Sequence, residues 1–436
     1  MQVNYWNKAV ETIDREPLRE LQLKQLRHMV DQAVKTHFYQ RRLGKAGITG
    51  GNDIRLLDDL QKIPFTTKDD LRQNFPKGLL AVEPEQVVRM HSSSGTTGIP
   101  TVIYLTQEDL DQWTDLVARC IVATGCTKQD VFQNMMSYGL FTGGLGLHYG
   151  AERVGLMVIP IGGGNTQRQV QVMKDFRTTA VHITPSYLLH IHSRLEEFKT
   201  TPKDLFLRKA FLGAEPYSEN TRCKLQDLYG IDVYNSYGLS EMNGPGVAFE
   251  CVYKQDMHIW EDAYIVEIID PATGTPLPDG EKGELVLTIL RRQAMPIFRY
   301  RTRDLAFLHK DPCPCGRTHR RLSRILGRTD DMLIIGGVNV FPSQIEEVIM
   351  GVPDVGTNYM ILLDKHNSLD RLTIQVEIYS KMFTGDMSEI DALKHRIKER
   401  LKASITINPH VEIHEPGSLP VFEGKAKRVI DKREKL

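Results

Sequence analysis

The stretch His91-Ser92-Ser93-Ser94-Gly95-Thr96-Thr97-Gly98-Ile99-Pro100-Thr101 decides how the rest of this chain is interpreted. Residues 92–98 hold only hydroxyl side chains and glycines, and they lie between two apolar segments, Val87–Met90 and Val102–Leu105, that predict short strands. Glycine lets backbone N–H groups converge on one point, and serine and threonine add hydroxyl donors. The loop therefore suits a polyphosphate, although it lacks the Gly-Lys-Ser/Thr end of a Walker A loop. A flexible linker is the alternative that composition leaves open.

The composition of the chain indicates a globular enzyme of two or three domains. Its 436 residues are 41% hydrophobic and 25% charged, and 55 basic residues balance 55 acidic ones. This balance gives no electrostatic reason to expect a nucleic acid or an anionic membrane as partner. The first 14 residues hold no apolar signal core, and six cysteines do not make a disulfide framework in a chain of this length. We expect a cytoplasmic protein.

Strand-like and helix-like segments alternate from the hydroxyl-rich loop to about residue 245. Thr106 and Asp109 predict a capping box at the start of one helix, and Gly230 predicts the end of another. The alternation predicts a mostly parallel sheet covered by helices, in which ligands bind beyond the carboxyl ends of the strands. Residues Leu18–Arg42 predict a single amphipathic helix.

The pattern changes twice in the second half of the chain. Residues 246–326 predict a β-rich subdomain, and residues 328–436 predict a separate α+β domain. The predicted fold class is therefore α/β, with a large N-terminal domain (1–327) of helix-covered sheets and a small C-terminal α+β domain.

Five motifs, taken in order, resemble the acyl- and aryl-adenylate-forming enzyme superfamily, and most closely the phenylacetate–CoA ligases. The motifs are Ser92-Ser93-Ser94-Gly95-Thr96-Thr97-Gly98, Tyr237-Gly238-Leu239-Ser240-Glu241, Tyr300-Arg301-Thr302-Arg303-Asp304, Gly327-Arg328-Thr329-Asp330-Asp331 and Gly424-Lys425. The resemblance implies a ligase that uses ATP, Mg²⁺ and coenzyme A. It would convert an aryl or arylacetic acid to an acyl-adenylate and then to a thioester, as in phenylacetate catabolism.

The resemblance also implies roles for the residues of the nucleotide site. The loop 92–98 would hold the β- and γ-phosphates, Glu241 would hold Mg²⁺, and Asp304 would accept hydrogen bonds from the ribose hydroxyls. An ion pair of Asp304 with Arg301 or Arg303 is the alternative. The walls of the adenine pocket, where Tyr237 would stack on the base, would be Gly213, Ala214, Glu215, Pro216, Asn235, Ser236 and Tyr237. Gly238 and Ser240 would also belong to the nucleotide-binding site.

Three further roles follow from the resemblance near the C-terminus. Arg328 would contact the ribose or phosphate, and Asp330 would be the hinge about which a mobile C-terminal domain rotates between the half-reactions. Lys425 would reach the acid and the α-phosphate during adenylation. Many members of the superfamily carry serine or threonine before this glycine, whereas this chain has Glu423.

Small residues and aromatic residues are interleaved in Tyr138–Gly146, which suits a flat ring. The resemblance implies an acid pocket formed by Tyr138, Phe141, Gly143, Ala214 and Pro245. The alternative is a glycine-rich helix start packed in a core.

Four sulfur and imidazole side chains of the β-rich subdomain form a candidate zinc set. Cys251, His258, Cys313 and Cys315 offer the ligand types of a closed tetrahedral site, which would be structural. The alternative is an exposed Cys-Pro-Cys-Gly turn and a packed histidine.

Other functions remain open on sequence grounds. An adenylating enzyme that passes the acyl group to a carrier protein or an amine would share the motifs of the first step. A nucleotide-binding protein without catalysis is disfavoured by Glu241, Asp304, Arg328 and Lys425. The expected partners are small molecules, with a homodimer left open.

Overall fold

The structure is a computed structural model that describes residues 3–93, 101–366, 369–379, 387–422 and 426–433. The chain divides into two compact units, Met1–Gly162 with Tyr234–Ile325, and Gly163–Val233 with Leu326–Leu436. The sequence-predicted boundary near residue 327 and the β-rich subdomain at 246–326 stay predictions. Among the described residues, no helix is both long enough and apolar enough to span a membrane.

The elements follow in chain order. Up to residue 162 they are α1 (Lys8–Glu11), α2 (Arg15–Ala33), α3 (His37–Lys45), α4 (Lys68–Gln73), β1 (Arg89–Ser92), β2 (Val102–Leu105), α5 (Gln107–Ala123), β3 (Val131–Asn134), α6 (Thr142–Val154) and β4 (Met157–Ile159). They continue with α7 (Thr166–Asp175), β5 (Ala180–Ile183), α8 (Pro185–Arg194), β6 (Lys209–Leu212), α9 (Glu219–Tyr229) and β7 (Asp232–Leu239). Next come β8 (Gly244–Glu250), β9 (Met257–Ile259), β10 (Tyr264–Ile269), β11 (Gly283–Ile289), β12 (Tyr300–Ala306) and β13 (Arg321–Leu322). The last are β14 (Gly327–Arg328), β15 (Leu333–Ile335), β16 (Val338–Val340), α10 (Pro342–Met350), β17 (Val355–His366), β18 (Leu369–Ile378), α11 (Met387–Ile405), β19 (His410–His414) and β20 (Val429–Asp431).

The first unit combines parallel and antiparallel pairing. β1 and β2 form an antiparallel pair with Ser92 opposite Val102, so both ends of the hydroxyl-rich loop meet at this point. β3 and β4 are parallel, as the alternation predicts. β7, β8, β9 and β13 form an antiparallel set, and β10, β11 and β12 form another. The antiparallel continuation after β7 was not predicted.

The second unit contains the parallel pair β5–β6 and a separate mixed sheet. The mixed sheet has the order β19-β18-β17-β20, with β17 and β18 antiparallel and the two outer pairs parallel. Helices α10 and α11 pack on it through fully buried side chains such as Ile345, Leu393 and Ile397. This core gives residues 333–413 the α+β character predicted from the sequence.

Capping residues determine where several helices begin and end. The Thr106 hydroxyl accepts from the Asp109 N–H and the Asp109 carboxylate from the Thr106 N–H, which confirms the capping box. Gly230 ends α9 in the left-handed conformation with φ +69°, as predicted. The single helix predicted at Leu18–Arg42 is wrong, because the Thr36 hydroxyl caps a new helix by accepting from the Tyr39 N–H at 3.2 Å.

Candidate active site

The base of the hydroxyl-rich loop is fixed on both sides. The Ser93 N–H donates to the Thr101 carbonyl at 3.0 Å, and the Ser92 N–H donates to the Leu140 carbonyl at 2.9 Å. His91 Nδ1 also donates to Leu140, at 3.0 Å, and burial lowers the pKa of this imidazole. The loop is therefore anchored to the segment predicted to bind the acid. Its remaining candidate residues, Ser94 to Gly98, lie outside the described residues.

Tyr237 and Asp304, predicted to serve adenine and ribose, are brought together. Tyr237 lies in β7 and Asp304 in β12, both are buried, and the phenol donates to Asp304 Oδ2 at 2.6 Å. Arg301, one of the two arginines proposed as alternative partners of Asp304, pairs with the Glu284 carboxylate; the alternative with Arg303 stays a prediction. The tyrosine hydroxyl therefore fixes the orientation of this carboxylate.

Glu241 lies in a short turn after β7 and is 5% exposed. Its Oε1 accepts from the Tyr300 hydroxyl at 3.1 Å, and its carbonyl accepts from Arg292 Nη1 at 2.7 Å. Arg292, which is fully buried, also holds the side chain of Asn243, a residue in the left-handed conformation with φ +70°. Sequence reasoning missed Arg292 and Tyr300 as supports of Glu241. Their contacts span 51 and 59 residues, so no local signal indicates them.

The predicted acid-binding segment combines a hydrogen-bonded tyrosine with an exposed aromatic ring. The Tyr138 hydroxyl accepts from Asn134 Nδ2 at 2.9 Å and lies 3.1 Å from His148 Nδ1, and burial raises the pKa of Tyr138 to about 12. Phe141 is 46% exposed. Gly143 lies in the first turn of α6.

Pro245 is tied to the helix that precedes this segment. Its carbonyl accepts from Trp113 Nε1 at 2.7 Å. Gly146 lies where a Cβ would come within 2.5 Å of Trp113 and 2.6 Å of Pro245, so only glycine fits. Thr142 and Ser240 place their hydroxyl oxygens 3.2 Å apart, which joins the acid segment to the motif after β7.

The second unit contains the other residues that were predicted to form walls of the adenine pocket, Gly213 to Pro216. The Glu215 carboxylate accepts from the Ser186 hydroxyl at 2.6 Å and from the backbone N–H of Ala426 at 2.8 Å. Ala214 adopts φ +68°, a strained value for a residue with a side chain. Gly213 and Pro216 lie in the same turn after β6.

Arg328 and Asp330, predicted to contact the nucleotide and to act as the hinge, form a two-point ion pair. Arg328 Nε lies 2.9 Å from Asp330 Oδ1, and Nη2 lies 3.1 Å from Oδ2. A cavity of about 520 Å³ in this unit is lined by Glu215, Pro216 and Asp330, among others. Lys425 lies outside the described residues, immediately before Ala426.

In the first unit, Asn235 and Ser236 lie in β7. The Asn235 N–H donates to Glu250 Oε2 at 2.7 Å, and Ser236 is paired with Phe249 of β8. Gly238 approaches β8 so closely that a Cβ there would lie 2.0 Å from the Gly244 carbonyl oxygen. Glycine is therefore required where this strand turns toward Glu241.

The four candidate zinc ligands converge. All are buried, and their ligand atoms lie within 4.8 Å of one another. Cys251 Sγ and Cys313 Sγ are 3.7 Å apart, and Cys315 Sγ lies 3.3 Å from His258 Nε2. A tetrahedral zinc with Zn–S bonds of about 2.3 Å gives S–S edges of about 3.8 Å, which matches. The exposed-turn alternative is wrong for Cys313 and Cys315, which are 6% and 2% exposed.

The surroundings of this cluster also fit a metal. His258 Nδ1 donates to the His319 carbonyl at 3.4 Å, which leaves Nε2 free to bind a metal.

Comparison with known proteins shows the family to which this chain belongs. Residues 23–291 match the model of the AMP-binding enzyme family, and residues 337–433 match the AMP-binding enzyme C-terminal domain. The chain is 44% identical to the phenylacetate-coenzyme A ligase of Thermus thermophilus, over 98% of this chain and 99% of that protein. It is also 44% identical to the Escherichia coli phenylacetate-coenzyme A ligase, over 97% of both chains.

A solved structure, that of 2-hydroxyisobutyryl-CoA ligase in the postadenylation state in complex with 2-HIB-AMP, has a TM-score of 0.92 and 27% identity. The match covers 98% of this chain and 92% of that chain. The chain therefore belongs to the AMP-binding, adenylate-forming enzymes, within the group of phenylacetate–coenzyme A ligases. It is an AMP-forming acid–thiol ligase: ATP first activates a carboxylic acid as the acyl-adenylate, and coenzyme A then takes the acyl group as a thioester. The predicted family, fold class and reaction are confirmed.

Proposed function

We propose that the acid is an aryl or arylacetic acid of the phenylacetate type. The observation that carries the proposal is the exposed ring of Phe141, three residues after Tyr138 in the predicted acid segment, because an aromatic acid that covers such a ring gains apolar contact. The Tyr138 hydroxyl accepts from Asn134 and lies beside His148, so the position of this tyrosine in the segment is held by polar contacts. The names of the relatives that are 44% identical support the same acid class.

The reaction begins with the carboxylate oxygen of the acid. This oxygen forms a bond to the α-phosphorus of ATP while the bond from that phosphorus to the pyrophosphate oxygen breaks. Both reactants are anionic, so positioned donors and cations must offset their repulsion. We assign the loop 92–98 to the β- and γ-phosphates and Lys425 to the acid and the α-phosphate. The thiol of coenzyme A then attacks the acyl carbon, and AMP leaves.

Two buried side chains are assigned to the nucleoside. Asp304 accepts hydrogen bonds from the ribose hydroxyls, and Tyr237 holds that carboxylate through its 2.6 Å hydrogen bond while its ring lies beside the base. Arg328 contacts the ribose or phosphate once its pair with Asp330 opens, and Asp330 is the hinge.

Glu241 is assigned to Mg²⁺, which supplies positive charge beside the phosphates when bound. The Tyr300 hydroxyl occupies one lone pair of Oε1, and the other carboxylate positions suit a hard cation. Glu241→Gln should lower the rate of pyrophosphate release about 100-fold and raise the Mg²⁺ concentration for half-maximal rate. Tyr300→Phe should have a smaller effect in the same direction. If Glu241→Gln needed the same Mg²⁺ concentration for half-maximal rate as the wild type, the assignment of Glu241 to Mg²⁺ would be wrong.

We assign Cys251, His258, Cys313 and Cys315 to one structural zinc ion. The 3.7 Å sulfur separation and the burial of all four side chains support it. Four protein ligands leave no open position, so zinc takes no part in the reaction and acts as a crosslink between the residue after β8, strand β9 and the segment before β13.

The decisive experiment measures pyrophosphate release with ATP, Mg²⁺ and a panel of aryl, arylacetic and aliphatic acids, with and without coenzyme A. Release that is fastest with arylacetic acids, and thioester formation on adding coenzyme A, would support the proposal. Faster pyrophosphate release with aliphatic acids would show that the substrate is an aliphatic acid instead. Release without thioester would favour a carrier protein or an amine as acceptor, and no release with any acid would favour a non-catalytic nucleotide-binding role.

The cellular compartment and the oligomeric state of the enzyme are proposals as well. We place the enzyme in the cytoplasm, because a buried cluster of free thiols suits a reducing compartment. Gel filtration with light scattering would test the homodimer left open by the sequence.

A further inference from the structure

The N-terminal segment, residues 4–13, lies against the turn that holds two of the candidate zinc ligands, Cys313 and Cys315. The Gly316 N–H donates to the Cys313 carbonyl at 3.0 Å and closes this turn, and the Tyr5 hydroxyl donates to the Cys315 carbonyl at 2.6 Å. Gly316 lies so close to that hydroxyl that a Cβ would come within 2.9 Å of it. Tyr5 and Cys315 are 310 residues apart in sequence, so the fold alone brings the N-terminal segment to the candidate metal site.

A buried ion pair continues this contact just after the turn. The side chains of Arg317 and Glu11 are both fully buried, and Arg317 Nε lies 2.8 Å from Glu11 Oε2. Arg317 Nη2 also donates to the Asn4 carbonyl at 2.6 Å. The other Glu11 oxygen accepts from the backbone N–H groups of Trp6 and Asn7, at 2.8 and 2.7 Å. Removing one partner would leave an uncompensated charge away from water, so the pair holds the N-terminal segment firmly.

His319 extends the contact to a third candidate ligand. The Glu261 N–H donates to His319 Nδ1 at 3.2 Å, so His319 Nε2 carries the hydrogen and donates to the Val10 carbonyl at 3.0 Å. The His319 carbonyl accepts from Nδ1 of His258, whose Nε2 lies 3.3 Å from the Cys315 sulfur. The N-terminal segment therefore reaches His258 through a single intervening residue.

We propose that Tyr5, Glu11 and Arg317 are positioning residues of the zinc site, and that the N-terminal segment forms the outer shell of this site. The inference rests on the zinc assignment made above. The Arg317 guanidinium lies 4.8 Å from the ring centroid of Tyr5, so the ion pair also supports the tyrosine that meets Cys315. Groups that hydrogen-bond to the residues around a metal fix the direction of its ligands, and the loss of one typically weakens metal binding about 10–100-fold.

The coupling acts in both directions. An N-terminal segment that orients the ligands slows the loss of zinc, and zinc that fixes the ligands holds the segment in place. Because such coupling is reciprocal, each partner should stabilise the other by the same factor. The reaction of the ligase does not require a change in this contact, so the effect is expected in zinc retention and in the order of the N-terminal segment.

The first test measures zinc release from the whole, zinc-loaded chain to an excess of a chromogenic chelator. Tyr5→Phe removes only one hydroxyl, Glu11→Gln removes one charge of the buried pair, and Arg317→Lys keeps the charge but loses the planar fork. Each variant should release zinc at least about tenfold faster than the wild type. Glu16→Gln, the same change as at Glu11 but at an exposed position of α2, should release zinc at the wild-type rate.

Limited digestion with trypsin tests the reverse direction. Removal of zinc by the chelator should raise the rate of cleavage after Lys8, in the N-terminal segment, at least about tenfold, because proteolysis follows the population of the opened form. Cleavage after Lys402, at an exposed position of α11, should keep its rate. The cleavage products are identified by mass spectrometry.

The possible outcomes separate this inference from the zinc assignment. Wild-type rates of zinc release in all three variants would overturn the inference and leave the zinc assignment intact. Faster zinc release accompanied by equally faster cleavage after Lys8 and Lys402 would show general unfolding, a merely structural role, and would also overturn it. Wild-type protein that binds no zinc even when zinc is supplied would reject the zinc assignment, and the inference with it.

Discussion

The Tyr237 hydroxyl donates to Asp304 Oδ2 at 2.6 Å, between strands β7 and β12 that lie 67 residues apart in sequence. A short hydrogen bond to a carboxylate both fixes its orientation and shares its charge. The tyrosine of the second motif therefore orients this carboxylate, in addition to the proposed stacking of its ring on the base.

Tyr237→Phe keeps the ring and removes this hydrogen bond. Hydrogen bonds to charged groups are worth about 1.5–3 kcal/mol, so we expect the KM for ATP to rise about tenfold or more while the KM for the acid stays unchanged. Steady-state pyrophosphate release at varied ATP measures this. Tyr229→Phe, which removes the buried hydrogen bond to the Leu188 carbonyl, should lower stability without changing the KM for ATP. An unchanged KM in Tyr237→Phe would leave stacking as the sole role of Tyr237.

Features that depend on neighbours in sequence were predictable. The capping box of Thr106 and Asp109 closes over three residues, and the Gly230 cap depends on one backbone conformation, so each has a local signature. The error at Leu18–Arg42 arose because apolar periodicity runs through Thr36, whose hydroxyl nevertheless starts a new helix. A local cap outweighed the pattern.

Features that depend on distant residues were not predictable from the sequence alone. The zinc candidates could be chosen by ligand type, but only the fold brings Cys251 and Cys313 within 3.7 Å. Arg292 is a buried cation that supports Glu241 and Asn243, and nothing beside it in sequence distinguishes it from Arg291. Its role follows from tertiary packing.

Gly146 is predicted to be intolerant of any side chain. Its missing Cβ would lie 2.5 Å from Trp113 and 2.6 Å from Pro245, so Gly146→Ala should lower the free energy of unfolding by about 1–3 kcal/mol, as overpacking does. Thermal unfolding measures it. Gly143→Ala is the matched control in the same helix, because among the described residues its Cβ meets only Met136 Cε, at 3.7 Å. Gly143→Ala should keep the melting temperature but change the KM for the acid. Equal stability of the two variants would contradict the packing argument.

His182 should make the protein sensitive to acid. Burial in β5 lowers the pKa of its imidazole to about 3, whereas an unfolded histidine titrates near 6.5. Below pH 6.5 the unfolded chain binds a proton that the native chain does not. This residue therefore lowers the free energy of unfolding by about 1.4 kcal/mol per pH unit as the pH falls from 6.5 toward 3.

Denaturant unfolding at pH 7, 6 and 5 tests the histidine prediction. His182→Asn cannot take up this proton, so the stability advantage of wild type over the variant should shrink by about 2 kcal/mol between pH 6.5 and 5. Parallel pH profiles for wild type and His182→Asn would show that another group causes the acid sensitivity.

The zinc assignment predicts one zinc ion per chain and a loss of stability without it. Cys313→Ser removes one ligand from a buried set, so zinc content by atomic emission should fall well below one and the melting temperature should fall by at least about 5 °C. Cys223→Ser, at an exposed cysteine, should change neither. Because the ion takes no part in the reaction, remaining folded Cys313→Ser protein should keep the wild-type KM for ATP. Purified wild type without zinc, and with a melting temperature that added zinc does not raise, would show that the four side chains pack as a metal-free core.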